Sequence, residues 1–313
     1  MRLINHHNKK KSKMDFDIEL KKRVSTIEEW LKECKIGSTF KKTKDIAWDM
    51  MRPCSQHNIT ENDILIIKEK LKQTPFTFEP GNLWEHLSEH FHGNYYVEFF
   101  KDISNLTPPG LNTSPNACCG KFELLYRLLR PGSKQPKKGD IMDNGEICEM
   151  KGCDVRILDT ELTGTEYKKN CTKIFKGHIE GNTVTKGGLK GDTAYEIEKP
   201  QHKEHYQKEF EKDTSKLKEL IPEYLNINGW VCTDKEIDII FEGGRWNQET
   251  MNKLILKKMF IKYQQKKEFN KMYIFGNGTD VKIITDAEDL DKIQITGDFF
   301  RINQSEKVGW YIA

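Results

Sequence analysis

The sequence predicts a mixed α/β fold of the α+β type, with a mixed central sheet flanked by helices. Three observations predict it. Apolar residues recur at helical spacing through residues 15–75, and Asn144-Gly145 joins two short strand-like segments. A helical pattern at 247–269 is followed at once by a strand pattern at 271–276. Because helices and strands are interleaved in the second half, we expect one sheet covered by helices there.

Length and composition limit the class of protein. The chain has 313 residues, enough for about two domains, with 36% hydrophobic and 32% charged residues. No apolar run approaches the ~18 residues of a membrane span, and the N-terminus lacks the apolar core of a signal peptide. We therefore expect a cytoplasmic protein without a membrane partner. The net charge of +3 is too small to indicate nucleic-acid binding by itself.

The eight cysteines contain no CxxC pair and follow no secretion signal, which predicts reduced thiols. Cys148, Cys153 and Cys171 offer a zinc site as an alternative. Their spacings match no standard zinc pattern, so we favour free thiols.

The first 110 residues are predicted to be mainly helical, with DNA recognition as a candidate role. Residues 1–14 are basic and read as a flexible tail, or alternatively as an arm that binds phosphates. Thr60 and Asp63 have the spacing of a capping box. A helix-turn-helix is an alternative here, but plain helical packing is favoured because nothing marks a recognition helix. Helices are predicted at 17–34, 44–51, 60–73 and 82–92.

The helix at 82–92 carries His86 and His90 at i and i+4, with His92 close behind. This spacing can bind a metal, but no glutamate stands between the histidines in HExxH order, so a solvated polar face is favoured. Residues 94–100 are predicted as a strand or a buried turn of helix. The TPPG sequence at 107–110 predicts a domain boundary.

Ser114-Pro115 is predicted to begin a helix that ends before Pro131-Gly132. Its apolar stripe consists of leucines, and Glu123 lies off that stripe. The stretch 121–138, which includes the end of this helix and the linker after it, is strongly basic, with Glu123 as its single acid. This predicts either a solvated face or a surface that binds a phosphate backbone. The six basic residues are Lys121, Arg127, Arg130, Lys134, Lys137 and Lys138.

The segment at 139–152 is predicted to be a β-hairpin. Asn-Gly favours a two-residue type I′ turn, because both central residues must take positive φ. The expected pairs are 143 with 146, 142 with 147, 141 with 148, and Asp140 with Glu149. The last pair places two carboxylates face to face, with Lys151 on the same face. A divalent cation would remove their repulsion, and this sparse set of oxygen ligands suits Mg²⁺.

Residues 154–158 are predicted as a further strand, and 159–245 as a large insertion. Within the insertion we expect a polar helix at 201–220 and a strand at 236–242. The helix at 247–269 carries six lysines. Short strands are predicted at 281–285, 292–296, 298–302 and 308–312, with an acidic helical turn at 286–291.

At Glu123, Asp140, Glu149 and Lys151 the chain resembles the PD-(D/E)xK nuclease superfamily, which includes many type II restriction endonucleases and phage or repair nucleases. The resemblance covers 114–158 and 247–276. It implies a restriction-endonuclease-like αβββαβ core within residues 111–313, interrupted by the insertion. The proline that precedes the aspartate in the motif is replaced here by Gly139.

The resemblance also implies a chemistry: Mg²⁺-dependent hydrolysis of phosphodiester bonds in double-stranded DNA by a homodimer, in the cytoplasm of a bacterial or virus-infected cell. Asp140, Glu149 and the Met150 carbonyl would hold Mg²⁺. Lys151 would orient the attacking water, and Glu123 would complete a second metal site or hold Lys151. A repair, recombination or structure-specific nuclease is the sibling alternative. Outside the enzymes, the alternative is a protein with a nuclease-like fold that binds nucleic acid without catalysis.

Overall fold

The structure is a computed structural model. It describes residues 2–36, 40–106, 121–152, 155–163, 165–167, 169–170, 173–174, 214–276, 279–293, 295–296 and 307–312. The chain divides into two compact units, one of residues 1–153 with 269–283, the other of 154–268 with 284–313. The boundary predicted at 107–110 lies outside the described residues, and the described residues on both sides of it belong to the first unit.

The described helices occur in both units. In the first unit they are α1 (Arg2–Glu33), α2 (Phe40–Gln56), α3 (Glu61–Gln73), α4 (Leu83–Phe91), α5 (Val97–Ser104) and α6 (Lys121–Leu129). In the second they include α7 (Thr214–Ile227), α8 (Asp234–Ile240) and α9 (Gln248–Lys267), with 3₁₀ turns at Glu242–Gly244 and Ala287–Lys292.

The predicted helical character of residues 15–75 is confirmed, and the caps have clear local causes. Thr60 and Asp63 form the expected capping box at the start of α3. Asn82 caps α4, and His92 ends it in the left-handed conformation with a φ of 58°. α1 begins at Arg2, so it includes residues 2–14 of the segment predicted as a flexible tail. Residues 97–100 belong to α5, so of the two alternatives predicted for 94–100, a strand or a turn of helix, the helix is the one observed there.

The described strands form two sheets. In chain order they are β1 (Gly81–Asn82), β2 (Ile141–Asp143), β3 (Glu146–Lys151), β4 (Val155–Thr163), β5 (Lys271–Gly276), β6 (Asp280–Ile284), β7 (Ile295–Thr296) and β8 (Lys307–Ile312). The first sheet has the order β1-β6-β5-β3-β2 and the second β4-β8-β7.

The first sheet is mixed, as predicted. β2 and β3 are antiparallel, whereas β3 and β5 are parallel with Glu149 opposite Met272. A parallel pair needs a crossover connection, and here the chain between β3 and β5 contains residues 154–268 of the second unit. The strand predicted at 154–158 exists as β4, but it pairs with β8 in the second sheet. It is therefore not a neighbour of β3, in contrast to the single-sheet core that we expected.

Helix α6 packs on one face of the first sheet. Its leucines are fully buried, as the predicted stripe requires. The Phe122 ring stacks on Phe275 with centroids 4.3 Å apart, and Tyr126 lies against Tyr273. Side chains alternate along β5, so Tyr273 and Phe275 share the face that α6 covers.

The second unit corrects one element of the sequence prediction. Residues 236–240 of the strand predicted at 236–242 belong to α8, and Glu242 begins a 3₁₀ turn. The cause is local, because Thr233 and Glu236 form a capping box that satisfies the first N–H groups of a helix. α9 begins after an Asn247 cap, close to the predicted start. The predicted helix at 201–220 is described only from Thr214, and the strand at 298–302 lies outside the described residues.

Candidate active site

The hairpin turn has the predicted conformation. Asn144 and Gly145 have φ angles of 49° and 85°, as a type I′ turn requires. Asp143 pairs with Glu146, and two further pairs follow in the predicted register, Met142 with Ile147 and Ile141 with Cys148. An Asn-Gly dipeptide between alternating side chains was therefore enough to predict this part of the structure.

The fourth predicted pair, Asp140 with Glu149, does not form. In a regular ladder it would be a non-hydrogen-bonded pair, and the Asp140 N–H would point away from β3. Instead, the Asp140 N–H donates to the Cys148 carbonyl at 3.0 Å. Oδ2 of Asp140 accepts from the Met150 N–H at 2.8 Å. The Asp140 side chain thus takes the place of a main-chain acceptor, and its carboxylate lies beside the backbone of β3.

Gly139 explains this change of register. Its φ is 74°, and a Cβ at this position would overlap Cγ2 of Ile147. A proline is held near a φ of about −65°, so the proline of the family motif cannot adopt this backbone conformation. Gly139 is therefore a requirement of the local structure, rather than a neutral replacement.

Glu149 and Lys151 point to one face of β3, the face opposite to Cys148 and Met150. Only 1% of the Glu149 side chain is exposed, and Oε1 accepts from Nζ of Lys151 at 2.5 Å. A buried carboxylate needs a charged or hydrogen-bonding partner, and Lys151 supplies one. The structure thus brings together Asp140, Glu149 and Lys151 at the end of β3.

Glu123 follows Phe122 in the first turn of α6. A Cβ placed on Gly152 would lie 3.5 Å from the Phe122 ring, so this turn of the helix lies near the end of β3. However, Phe122 packs on the face of Phe275, whereas Glu149 and Lys151 point to the other face. Glu123 therefore lies near the end of β3 that carries Glu149 and Lys151. However, its helix covers the face of the sheet opposite to these two side chains.

Asn270 supports the strand that carries the site, and sequence reasoning missed it. Its N–H donates to the Ile147 carbonyl at 2.7 Å, and its Oδ1 accepts from the Ile147 N–H at 2.8 Å. These two bonds extend the parallel pairing of β3 and β5 by one residue and help to hold their register. The sequence offered no signal, since the partner lies more than 100 residues away along the chain.

Arg127 and Arg130, which were predicted to bind DNA, have internal partners for their side chains. Only 2% of Arg127 is exposed, and its Nη2 donates to the Lys35 carbonyl at 2.7 Å. Arg130 binds Asp143 through Nε and the Phe76 carbonyl through Nη1. Arg127 is thus unavailable to a phosphate backbone, because it ties α6 to the end of α1. Helical spacing did not predict the burial of Arg127. It places Arg127 beside the leucine stripe of α6 but does not show which part of the chain covers that side of the helix.

The lysines of the connecting segment remain exposed. Lys134 pairs with Met142 through both main-chain groups at 2.7 Å, which adds one residue of pairing at the outer edge of β2. Its side chain is in solvent, as are those of Lys137 and Lys138. The side chain of Lys121 lies outside the described part of the structure. The described basic surface near Asp140 therefore consists of three lysines.

The donor chemistry of the candidate site fits Mg²⁺. Asp140, Glu149 and the Met150 carbonyl offer only oxygen atoms, and Mg²⁺ often binds one or two carboxylates while it keeps several waters. Among the described residues, no group of three His, Cys, Asp or Glu side chains is placed to hold a metal ion. His86, His90 and His92 are among the described residues and form no such group. For the alternative zinc site, Cys153 and Cys171 lie outside the described residues.

Four described cysteines, Cys34, Cys54, Cys148 and Cys232, are free thiols, in keeping with the prediction for them. In the part of the chain that the structure describes, no helix has the length and apolar character needed to cross a membrane.

Comparison of the chain with models of protein families, with curated proteins and with solved structures gave no match. The functional assignment therefore depends on the geometry of the site and on the residues that carry the motif.

Proposed function

We propose that this protein is a Mg²⁺-dependent DNA endonuclease of the PD-(D/E)xK type, most similar to a type II restriction endonuclease. One observation carries the proposal. The Asp140 carboxylate lies against the main chain of Met150, between Glu149 and Lys151 on the same strand. Two carboxylates and an ammonium at the end of one strand are the groups that metal-assisted hydrolysis of a phosphodiester requires.

The residues have distinct roles in this proposal. Asp140, Glu149 and the Met150 carbonyl hold Mg²⁺. When bound, the ion polarises the scissile phosphate and lowers the pKa of a coordinated water. Lys151 orients the attacking water and offsets negative charge on the phosphate. Glu149 in turn holds the Lys151 ammonium in place through its 2.5 Å contact. Glu123 has the least direct support, because α6 covers the other face of the sheet.

The substrate proposal depends on charge. The exposed side chains of Lys134, Lys137 and Lys138 belong to the segment that leads into Asp140, so a phosphate backbone bound to them would lie close to the start of β2. Double-stranded DNA is the proposed substrate. A homodimer is proposed because two strands must be cut.

The test is incubation of supercoiled plasmid with the purified protein, with Mg²⁺ or with EDTA. We expect cleavage only with Mg²⁺, and its loss in Asp140→Ala, Glu149→Ala and Lys151→Ala with DNA binding retained. Asp280→Asn, an exposed carboxylate at the start of β6, is the matched control and should cleave normally. Cleavage by a variant that combines all three substitutions, or cleavage in the presence of EDTA, contradicts the proposal.

The form of the products separates the sibling functions. Discrete fragments support a restriction enzyme, and preference for branched or single-stranded DNA supports a repair nuclease. DNA binding without any cleavage supports the alternative of a non-catalytic binding protein.

A further inference from the structure

A polar cavity lies on the face of the first sheet opposite to Glu149 and Lys151. Asp143, Cys148 and Tyr273 line it, and alternation along the strands places all three on the face away from Glu149. Its volume is about 170 Å³, below the ~300–1,000 Å³ of most ligand pockets. The cavity is therefore separate from the candidate active site and limited to a small ligand.

Aromatic rings form the walls of this cavity. Phe78 and Tyr126 stack with centroids 4.5 Å apart at an angle of 8°, and Tyr273 lies against both. Burial raises the pKa of Tyr126 far above its usual range, so its hydroxyl stays protonated and donates to Asp143 at 3.0 Å. Because these rings pack on one another and are buried, their faces are not open to a ligand, and recognition depends on the polar groups that line the cavity.

The charged groups of the cavity are balanced. Arg130 is paired with Asp143, and Nζ of Lys271 lies 2.5 Å from Oε2 of Glu146. Burial lowers the pKa of Arg130 and the hydrogen bond to Asp143 raises it, with a net increase, so the guanidinium keeps its charge. A ligand with a net charge would meet a like charge within the cavity. A neutral ligand avoids this cost.

The paired groups keep unused hydrogen-bonding capacity. Both bonds to Asp143 use Oδ2, and among the described residues Oδ1 has no donor. Arg130 uses Nε and Nη1, and within the same described set Nη2 has no acceptor. Lys271 adds a second cationic donor to the lining. The cavity thus presents carboxylate acceptors directly beside cationic donors.

We propose that this cavity binds a guanine base. Guanine is planar and neutral, and its pairing edge carries two N–H donors, N1 and N2, next to the O6 acceptor. Carboxylates accept from N–H groups of bases, and cationic side chains donate to O6. The base could belong to a free nucleoside or to a nucleotide extruded from a strand. The site is independent of the proposed hydrolysis, because none of its groups lies on the Glu149 face.

The test is calorimetric titration of the protein in EDTA with guanosine, inosine and adenosine. We expect saturable binding of guanosine and at least about tenfold weaker binding of inosine, which lacks the N2 amino donor. Adenosine, without O6, should not bind. A thymidine oligonucleotide with one guanine, compared with the same oligonucleotide without it, tells whether a base within a strand is accepted. Equal affinity for the three nucleosides, or no saturation with guanosine, overturns the proposal.

Two variants localise the binding. Lys271→Met removes the ammonium donor for O6 from an exposed ion pair, so it should fold normally and bind guanosine about tenfold more weakly. Lys44→Gln, at an exposed lysine of α2 outside the cavity, should bind like the unmodified protein. Loss of binding in Lys44→Gln, or no weakening in Lys271→Met, contradicts the assignment to this cavity. Circular dichroism checks that both variants are folded.

Discussion

The Lys151 ammonium lies 2.5 Å from a carboxylate oxygen of Glu149, and the Glu149 side chain is 1% exposed. The two residues are separated by one position on β3 and share its face. Removal of either partner would break this ion pair, so it would cost stability whether or not the site is catalytic. A loss of cleavage in either variant must be separated from a loss of folded protein.

Lys151→Met should lower the free energy of unfolding by about 2 kcal/mol, since removal of one partner of a buried ion pair costs up to about 3–5 kcal/mol. We expect less than that maximum, because 24% of the Lys151 side chain is exposed. Urea denaturation measures the change. The double variant Glu149→Gln, Lys151→Met should recover at least half of the loss. Equal stability of Lys151→Met and the unmodified protein would show that the pair contributes nothing.

Gly139→Ala should destabilise the protein by about 1–3 kcal/mol, because alanine is strained at a φ of 74° and its Cβ would overlap Ile147. It should also weaken cleavage, because it moves Asp140 away from Met150. Gly132→Ala is the matched control, since a Cβ there meets no atom within 4 Å. Thermal denaturation of both variants is the measurement. Similar midpoint temperatures for the two variants would refute the assigned role of Gly139.

Arg127→Met should destabilise the protein by about 2–4 kcal/mol, because it removes a buried side chain that donates to the Lys35 carbonyl. Lys137→Ala should leave stability nearly unchanged. It should instead weaken DNA binding and reduce the salt dependence of the affinity by about one unit of slope. Urea denaturation and titrations at several salt concentrations measure the two effects. A change in salt slope for a folded Arg127→Met protein would restore Arg127 as a DNA contact.

Asn270→Ala should cost about 1 kcal/mol, because the Ile147 N–H loses its acceptor. Asn270→Asp keeps an oxygen at this position and should be closer to the unmodified protein. Hydrogen exchange at the Ile147 amide is the direct measurement. Exchange should become faster in Asn270→Ala, and an unchanged rate would show that the side chain does not protect this N–H.

Stability should fall as the pH rises above about 9. Burial raises the pKa of the Cys34, Cys54 and Cys148 thiols from 9.0 to about 12. Between these values the unfolded chain loses thiol protons that the folded protein keeps, so alkaline pH favours unfolding. Urea denaturation in reductant at about pH 8 and about pH 10 measures this. Cys54→Ala should show a smaller decrease than the unmodified protein, and an equal decrease would exclude a contribution from Cys54.

Much of the local structure could be predicted from the sequence. Asn144-Gly145 determined the turn, because few residue pairs accept positive φ at both positions. Thr60 with Asp63 determined a helix start, because their side chains satisfy N–H groups that no helix can satisfy by itself. The leucine stripe of α6 likewise predicted its buried face. Each of these features depends on residues within a few positions of one another.

Tertiary contacts decided the rest. Asp140 binds the Met150 N–H because Gly139 packs against Ile147, and Arg127 is buried because the end of α1 supplies an acceptor. β4 pairs with β8, not with β3, although it directly follows the hairpin. The sequence by itself thus determined turns, caps, amphipathic faces and the residues of the motif, since these follow from local conformational preferences. Only the folded chain decided burial, strand partners and the position of Asp140, because those depend on groups far apart along the sequence.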